Sequence, residues 1–304
     1  MGRNLSNVSQ SVHDRLLNQA RETGRSFNEL LLYYGIERFL YRLAQTGHVD
    51  GFALKGALLL HVQDPDLARS TRDIDVLDLK RRDKEQIREV VRDAMLVEVS
   101  EDGMEYDPET IEISEIRPEA EYQGLRITFR GYLGTARVPM QIDVGTGDVL
   151  EQELVRIEYP ELLSYGRPRL LGYPLESVVA EKFEAMVDLG TVNTRMKDFY
   201  DVWRLSRHQR FEGSRLSAAL KATFERRGTP IPEERPEALT EVFLESGQKQ
   251  TQWTSFLEKT RLDASPSLAD VLSELADFLL PPARAAAKGG TFSADWVEGG
   301  PWGS

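Results

Sequence analysis

The spacing of hydrophobic and polar positions changes period twice along this chain. From Asn28 to Leu43 apolar residues recur at Leu31, Leu32, Ile36, Phe39, Leu40 and Leu43, the spacing of one helix face. Ser26 precedes that run with Glu29 three residues on, which predicts an N-terminal capping box, and residues 8–48 as a whole read as two helices. Phe52–Val62 reads as strand, turn and helix, Arg72–Leu79 as a strand, and Lys80–Leu96 as a charged amphipathic helix. Alternation over Ile111–Ile116, Leu125–Tyr132 and Ala136–Val144 predicts strands, the last two joined as a hairpin at Gly134. After a proline-containing connection, Tyr159–Pro174, the period becomes helical again. Helices are expected over Leu175–Leu189, Met196–Ser206, Leu216–Arg226, Glu237–Glu245, Gln252–Thr260 and Leu268–Leu280, with Pro230–Pro236 a loop and Pro281-Pro282 ending the last helix. The glycine-rich 289–304 is expected to be an extended tail, packed back through Trp296 and Trp302.

This order predicts an α+β fold: a small mixed β-sheet core flanked by helices, with a helical C-terminal region. The expected segments are N-terminal helices packing on the core at 1–48, the sheet core at 49–172, the helical region at 173–288 and the tail at 289–304. At 304 residues and 40% hydrophobic content the chain can bury a sizeable core. The absence of cysteine excludes a disulfide framework, a thiolate nucleophile and a cysteine zinc site. His13, His48, His61 and His208 are scattered without metal-ligand spacing, which argues against zinc. No run approaches the ~18 apolar residues of a membrane span, and Met1-Gly2-Arg3-Asn4-Leu5-Ser6 lacks a signal-peptide core, so a cytoplasmic protein with no membrane partner is expected. A net charge of −12 requires any nucleic-acid contact to be local.

The candidate chemistry centres on Asp73 and Asp75. If Ile74 lies in a strand, both carboxylates point to one face while Ile74 and Val76 occupy the other. Gly56, opening the helix after a short strand, allows phosphates to approach backbone N–H groups. An ordinary strand-to-helix turn and a bland polar face read the same way in isolation. Asp143, between Ile142 and Val144, joins the other two carboxylates if the strands are neighbours. Three carboxylates can hold divalent metal and activate a hydroxyl for attack on phosphorus. Asp148 is a weaker candidate that also reads as a turn residue. Lys182 lies within an apolar stripe formed by Val178, Val179, Ala185 and Met186, where it can either snorkel outward or hold a phosphate. Asp198 and Asp201 share a helix face, for ion pairing with Arg195 or Lys197, or for orienting Lys182. Arg69, Arg72, Lys80, Arg81 and Arg82 form a basic strip that reads either as an RNA contact or as a solvated helix start.

Leu54-Lys55-Gly56-Ala57 followed by Arg72-Asp73-Ile74-Asp75 resembles the first motif of the DNA polymerase β nucleotidyltransferase superfamily, and Ile142-Asp143-Val144-Gly145-Thr146-Gly147-Asp148 resembles its third-carboxylate strand. Ala180-Glu181-Lys182-Phe183-Glu184-Ala185-Met186, with Arg195 and Lys197-Asp198-Phe199-Tyr200-Asp201, is similar to the second signature of the AbiEii/AbiGii toxin nucleotidyltransferases, and the chain is similar to the mycobacterial MenT-type toxins. The closing Phe292, Trp296 and Gly299-Gly300-Pro301-Trp302 are also similar to that family. The chain departs from the pattern in having Gly56-Ala57 for Gly-Gly or Gly-Ser, Lys197 for arginine, and a longer spacing from Lys182 to Asp198.

The resemblance implies transfer of a nucleotide from an NTP to an acceptor, the 3′ end of tRNA, by magnesium-dependent two-metal chemistry (manganese being the alternative), with an antitoxin partner in a toxin–antitoxin or phage-defence setting. It implies catalytic Asp73, Asp75, Asp143, Lys182, Asp198 and Asp201, with Asp73, Asp75 and Asp143 holding metal. It implies nucleotide contacts from Lys55, Gly56, Ala57, Ser70, Thr71, Arg72 and Lys182. Two alternatives stay open: a nucleotidyltransferase acting on a protein hydroxyl or a small molecule such as an antibiotic, and a catalytically idle binding module.

Overall fold

The computed structural model describes residues 2–63, 71–116, 124–147, 152–260 and 266–303. They fall into two compact units, the first running through residue 147 and including Leu154–Tyr173, the second formed by Gln152, Glu153 and the chain from Pro174 onward. Among the described residues no helix is long and apolar enough to cross a membrane.

The first unit opens with helices α1 (Gly2–Thr23) and α2 (Phe27–Ala44). Then come β1 (Phe52–Leu54), α3 (Gly56–Gln63), β2 (Ile74–Asp78), α4 (Lys84–Leu96), β3 (Met104–Ile116), β4 (Gly124–Leu133), β5 (Ala136–Thr146), β6 (Val155–Glu158) and β7 (Arg169–Gly172). The seven strands form one mixed sheet in the order β3-β4-β5-β2-β1-β7-β6. Strand β2 pairs parallel with β5 and antiparallel with β1, and β4–β5 is an antiparallel hairpin. The alternation drives this layering. Ile74, Val76, Ile142 and Val144 are all buried and line one apolar layer with Phe39, Leu40 and Leu43 of α2 and Ile87, Val90 and Val91 of α4. Each such side chain contributes about 1.5–3 kcal/mol by leaving water.

Several local expectations differ. Ser26 stands at the N-cap of α2 but its side chain makes no capping bond; Glu29 instead accepts from Arg25 Nε and Nη2 at 3.1 and 2.8 Å. Helix α4 begins at Lys84, not Lys80, because the Asp78 carboxylate captures the Lys80 and Arg82 backbone N–H groups at 3.2 and 2.5 Å. Asp83 then caps the helix in a box with Gln86. Strand β3 starts at Met104 and runs past Pro108 with a register shift between Asp107 and Glu112, which interrupts the alternation there. The expected connection Tyr159–Pro174 contains β7, which pairs parallel with β1.

A buried charge cluster ties α2 to the start of β3. Asp102 accepts from Arg38 Nε at 2.8 Å and from Arg42 Nη1 and Nη2 at 2.7 and 3.0 Å. Glu37 accepts from Arg38 Nη1 at 3.3 Å and from the Leu162 N–H at 2.7 Å. Burial pushes the Glu37 carboxyl up from 4.5 to about 7, against the lowering pull of that N–H and of Arg38. The folded value lies above the unfolded one, so the contribution is fully present below the unfolded value of 4.5 and is lost as pH rises through about 7. Glu37→Gln is expected to flatten that decline, by on the order of 3 kcal/mol at the limit. Urea midpoints of wild type and variant at about pH 5 and about pH 8 measure it, and parallel profiles would reject the assignment.

The second unit is helical: α5 (Leu175–Leu189), α6 (Met196–His208), α7 (Gly213–Arg227), α8 (Glu241–Glu245), α9 (Gly247–Thr260) and α10 (Leu268–Ala287). The helix expected over Glu237–Glu245 is split into a 3-10 turn, Glu237–Leu239, and α8. Helix α10 continues past Pro281-Pro282 to Ala287 rather than stopping there. Tertiary packing offsets the lost N–H groups: Pro282, Ala283 and Ala286 are buried, and Ser217 Oγ donates to the Pro282 carbonyl at 3.2 Å. Strands β8 (Phe211–Glu212), β9 (Asp295–Trp296) and β10 (Trp302–Gly303) form a small sheet. The tail is fastened through Trp296 Nε1 to the Ser206 carbonyl at 2.6 Å and Trp302 Nε1 to the Phe278 carbonyl at 3.0 Å.

Candidate active site

Strand β1 stops at Leu54 and the chain turns through Lys55 into α3 at Gly56. The turn is fastened to β2 by Lys55 N–H donating to the Asp75 carbonyl at 2.8 Å. Gly56 has φ +64, and a Cβ there would lie 2.7 Å from Asp75 Cγ. Glycine is therefore needed twice over, for its backbone and for room beneath the Asp75 carboxylate. Gly56→Ala is expected to cost about 2 kcal/mol or more from backbone strain and displacement of Asp75. A urea midpoint indistinguishable from wild type would reject this close fit.

Asp75 stands in register with Asp143 on the parallel neighbour β5, and Asp143 in register with Arg126 on β4. The three side chains thus form a row across three strands, on the face opposite Ile74, Val76, Ile142 and Val144. Asp73, just before β2, is half-buried like Asp75 and Asp143. Arg126 closes a two-pronged pair on Asp143, Nε to Oδ1 at 2.9 Å and Nη2 to Oδ2 at 2.7 Å. Gln141 Nε2 adds a third contact to Oδ1 at 3.2 Å. That hydrogen bond from Arg126, then the charges of Asp143, Asp73 and Asp75, raise the guanidinium's pKa above its ordinary value.

Among the described residues no three acidic or histidine side chains are gathered closely enough to hold a metal ion as the chain stands. Asp75 and Asp143 are level on neighbouring strands, and the Asp143 carboxylate is engaged by Arg126. The donor chemistry fits a divalent cation, since all three groups offer carboxylate oxygens, the hard ligands that magnesium takes.

The other nucleotide-contact candidates are placed unevenly. Lys55 Nζ lies over the Tyr173 ring, 4.6 Å from its centre. Ala57 is buried, so only its backbone can serve a ligand. Thr71 N–H donates to Tyr33 Oη at 3.1 Å, and Asp73 N–H to Thr71 Oγ1 at 3.4 Å, which fixes the entry to β2. Arg72, Lys80 and Arg81 are exposed. Arg82 departs from the basic strip: its guanidinium pairs with Asp78 and stacks 4.5 Å over the Phe52 ring. Ser70, Arg69 and Asp148 lie outside the described residues.

In the second unit, Lys182 on α5 donates to Asp198 Oδ1 at 2.6 Å and Asp201 Oδ2 at 2.9 Å, both on α6. Both carboxylates are buried, and Arg195 Nε pairs with Asp198 Oδ2 at 2.7 Å. The ammonium is therefore fixed at two points within its apolar stripe, not snorkelling freely.

Arg126, Gln141, Tyr33 and Tyr173 were not singled out from sequence. Arg126 and Gln141 carried a signal: counting back evenly from the Gly134-Thr135 turn sets Arg126 opposite Asp143. The two tyrosines carried none.

A family profile described as "Nucleotidyl transferase AbiEii toxin, Type IV TA system" matches residues 38–279. The chain belongs to the AbiEii nucleotidyltransferase toxin family. As an AbiEii protein it is a nucleotidyltransferase of a toxin–antitoxin context, which implies an NTP substrate and an antitoxin partner, and divalent metal is general in such enzymes. Among solved structures, JHP933 from Helicobacter pylori is similar at 16% identity over 87% of this chain and 94% of that one, with a TM-score of 0.47. A second H. pylori protein, assigned as a nucleotidyltransferase, is similar at 16% identity over 87% of this chain and 96% of that one, with a TM-score of 0.45. No curated protein sequence matches the chain significantly.

Proposed function

We propose that this AbiEii protein transfers a nucleotide from an NTP to the 3′ end of tRNA in the cytoplasm, releasing pyrophosphate and blocking translation. The observation that carries the phosphoryl-transfer reading is the registered pair Asp75 and Asp143 on adjacent parallel strands, beside the Gly56 turn. In this reading Asp73 and Asp75 bind the cation that accompanies the triphosphate, and the backbone N–H groups opening α3 receive phosphate oxygens. Asp143 holds the acceptor side, where the attacking 3′-hydroxyl loses its proton. Magnesium, or manganese in its place, would supply charge neutralisation on the phosphoryl oxygens and a lowered pKa for the hydroxyl. Lys182 keeps the phosphate role that the resemblance assigns it, with Asp198 and Asp201 orienting its ammonium.

Exposed Arg72, Lys80 and Arg81 are the candidates for tRNA phosphate contacts. If all three are used, the logarithm of tRNA affinity falls against the logarithm of salt with a slope of about −2 to −3. A flat salt response would remove the strip from the reading.

The deciding experiment incubates the protein with magnesium, each α-labelled NTP in turn and total tRNA, beside Asp75→Ala. Label on tRNA from wild type alone supports the proposal and names the nucleotide. Label on protein, or on an added small molecule, rejects the tRNA acceptor in favour of another one. No label with any acceptor rejects the transferase reading.

A further inference from the structure

Arg126 is a cation seated among the carboxylates that the proposed chemistry needs. Both prongs of its fork are used on Asp143, at 2.9 and 2.7 Å. Gln141 Nε2 adds a second contact to Oδ1 at 3.2 Å, so both oxygens of that carboxylate are already engaged. Strand register brings this about, since Asp75, Asp143 and Arg126 are consecutive partners across β2, β5 and β4.

Two features distinguish the contact from an ordinary structural ion pair. The Arg126 side chain is 43% exposed while that of Asp143 is 18% exposed. The guanidinium therefore has solvent into which it can swing; the carboxylate is held by the sheet. The pair is also two-pronged, so a cation approaching Asp143 must displace a directional, charge-assisted contact rather than water. A triphosphate offers the guanidinium an equivalent partner, because phosphate oxygens match the same planar fork.

We propose that Arg126 is a positioning residue that occupies Asp143 until a nucleoside triphosphate draws its guanidinium away, so that a divalent cation reaches the third carboxylate only after the nucleotide has bound. This rests on the nucleotidyltransferase reading above. It adds an order of loading: nucleotide first at the Asp73–Asp75 side, then the acceptor-side cation at Asp143. Without nucleotide, Arg126 neutralises a carboxylate that would otherwise face Asp75 as a like charge.

The test is a manganese titration followed by electron paramagnetic resonance, with and without a non-hydrolysable NTP analogue, on wild type, Arg126→Gln, Arg126→Lys and Asp143→Asn. Wild type should take up an additional manganese only with the analogue, and Asp143→Asn should lack that uptake. In Arg126→Gln the additional site should fill without the analogue, at about the manganese concentration that fills it in wild type with the analogue. Arg126→Lys, which keeps the charge but loses the fork, should fall between them and serves as the readout if the glutamine variant does not fold. Identical titrations for wild type and both Arg126 variants would overturn the inference while leaving the transferase reading standing. No manganese uptake by wild type under either condition would overturn the transferase reading itself, and the inference with it.

Discussion

Replacing Asp75 by asparagine should reduce nucleotide transfer by at least about 10³-fold while leaving the fold intact. Asparagine has nearly the shape of aspartate, so the space above Gly56 stays filled. The contact from Lys55 N–H goes to the Asp75 carbonyl and does not depend on the side chain. Ile74 and Val76 keep their places in the core. The negative charge is what disappears, and with it, in the proposed mechanism, the charge that would hold a cation against the triphosphate. Single-turnover incorporation of labelled nucleotide, read beside a urea melt, separates the two effects. A variant that folds and transfers within tenfold of wild type would remove Asp75 from the catalytic set. Asp143→Asn should lower transfer in the same direction but for a second reason, since it also releases Arg126 from its partner.

Asp75 was legible as an inward-set acid because strand alternation places it opposite the buried Ile74 and Val76, whereas Asp73 lies just before β2, where that alternation no longer fixes its side chain. The neighbouring of β2 and β5 was not legible. These parallel strands are separated by α4, β3 and β4, and no local pattern says that β5 returns beside β2 with Asp143 level with Asp75. Lys182 stood out as a charge in an apolar stripe, and its partners Asp198 and Asp201 stood out as a spaced pair. The failures have specific causes. The helix was expected from Lys80, yet the Asp78 carboxylate holds the Lys80 and Arg82 N–H groups and delays α4 to Lys84. That same capture withdraws Arg82 from the basic strip. Pro281-Pro282 read as a stop because sequence carries the local cost of proline but not the burial of Ala283 and Ala286 that outweighs it. Strand β7 was hidden in a proline-containing stretch because four residues are too few to establish a period.

The second large effect concerns stability. Asp102→Ala is expected to destabilise the fold by about 3–5 kcal/mol, because it removes one partner from a buried charge balance. The cluster contains two cations, Arg38 and Arg42, and two carboxylates, Glu37 and Asp102, with side chains 7% exposed or less. Burial alone would raise the Asp102 pKa, but hydrogen bonds and charge from Arg42, then the Arg38 and Met104 contacts, hold it below the usual range. Its folded value is depressed, so its contribution is present above the unfolded value and is lost as pH falls through the folded one. Deleting Asp102 leaves the Arg38 and Arg42 guanidinium groups to one carboxylate of the four-residue cluster, Glu37, which is itself reluctant to ionise where it sits. A paired replacement, Asp102→Leu with Arg42→Met, restores one cation to one carboxylate. It should recover more than half of the lost stability, since the cost lies in the unpaired charge rather than in the absence of the pair. Urea unfolding of the single and double variants measures the difference. A single variant within about 1 kcal/mol of wild type would mean that water reaches the cluster. A double variant as unstable as the single one would mean that the guanidinium geometry, with Arg42 also donating to the Met104 carbonyl at 3.0 Å, is what fastens α2 to β3.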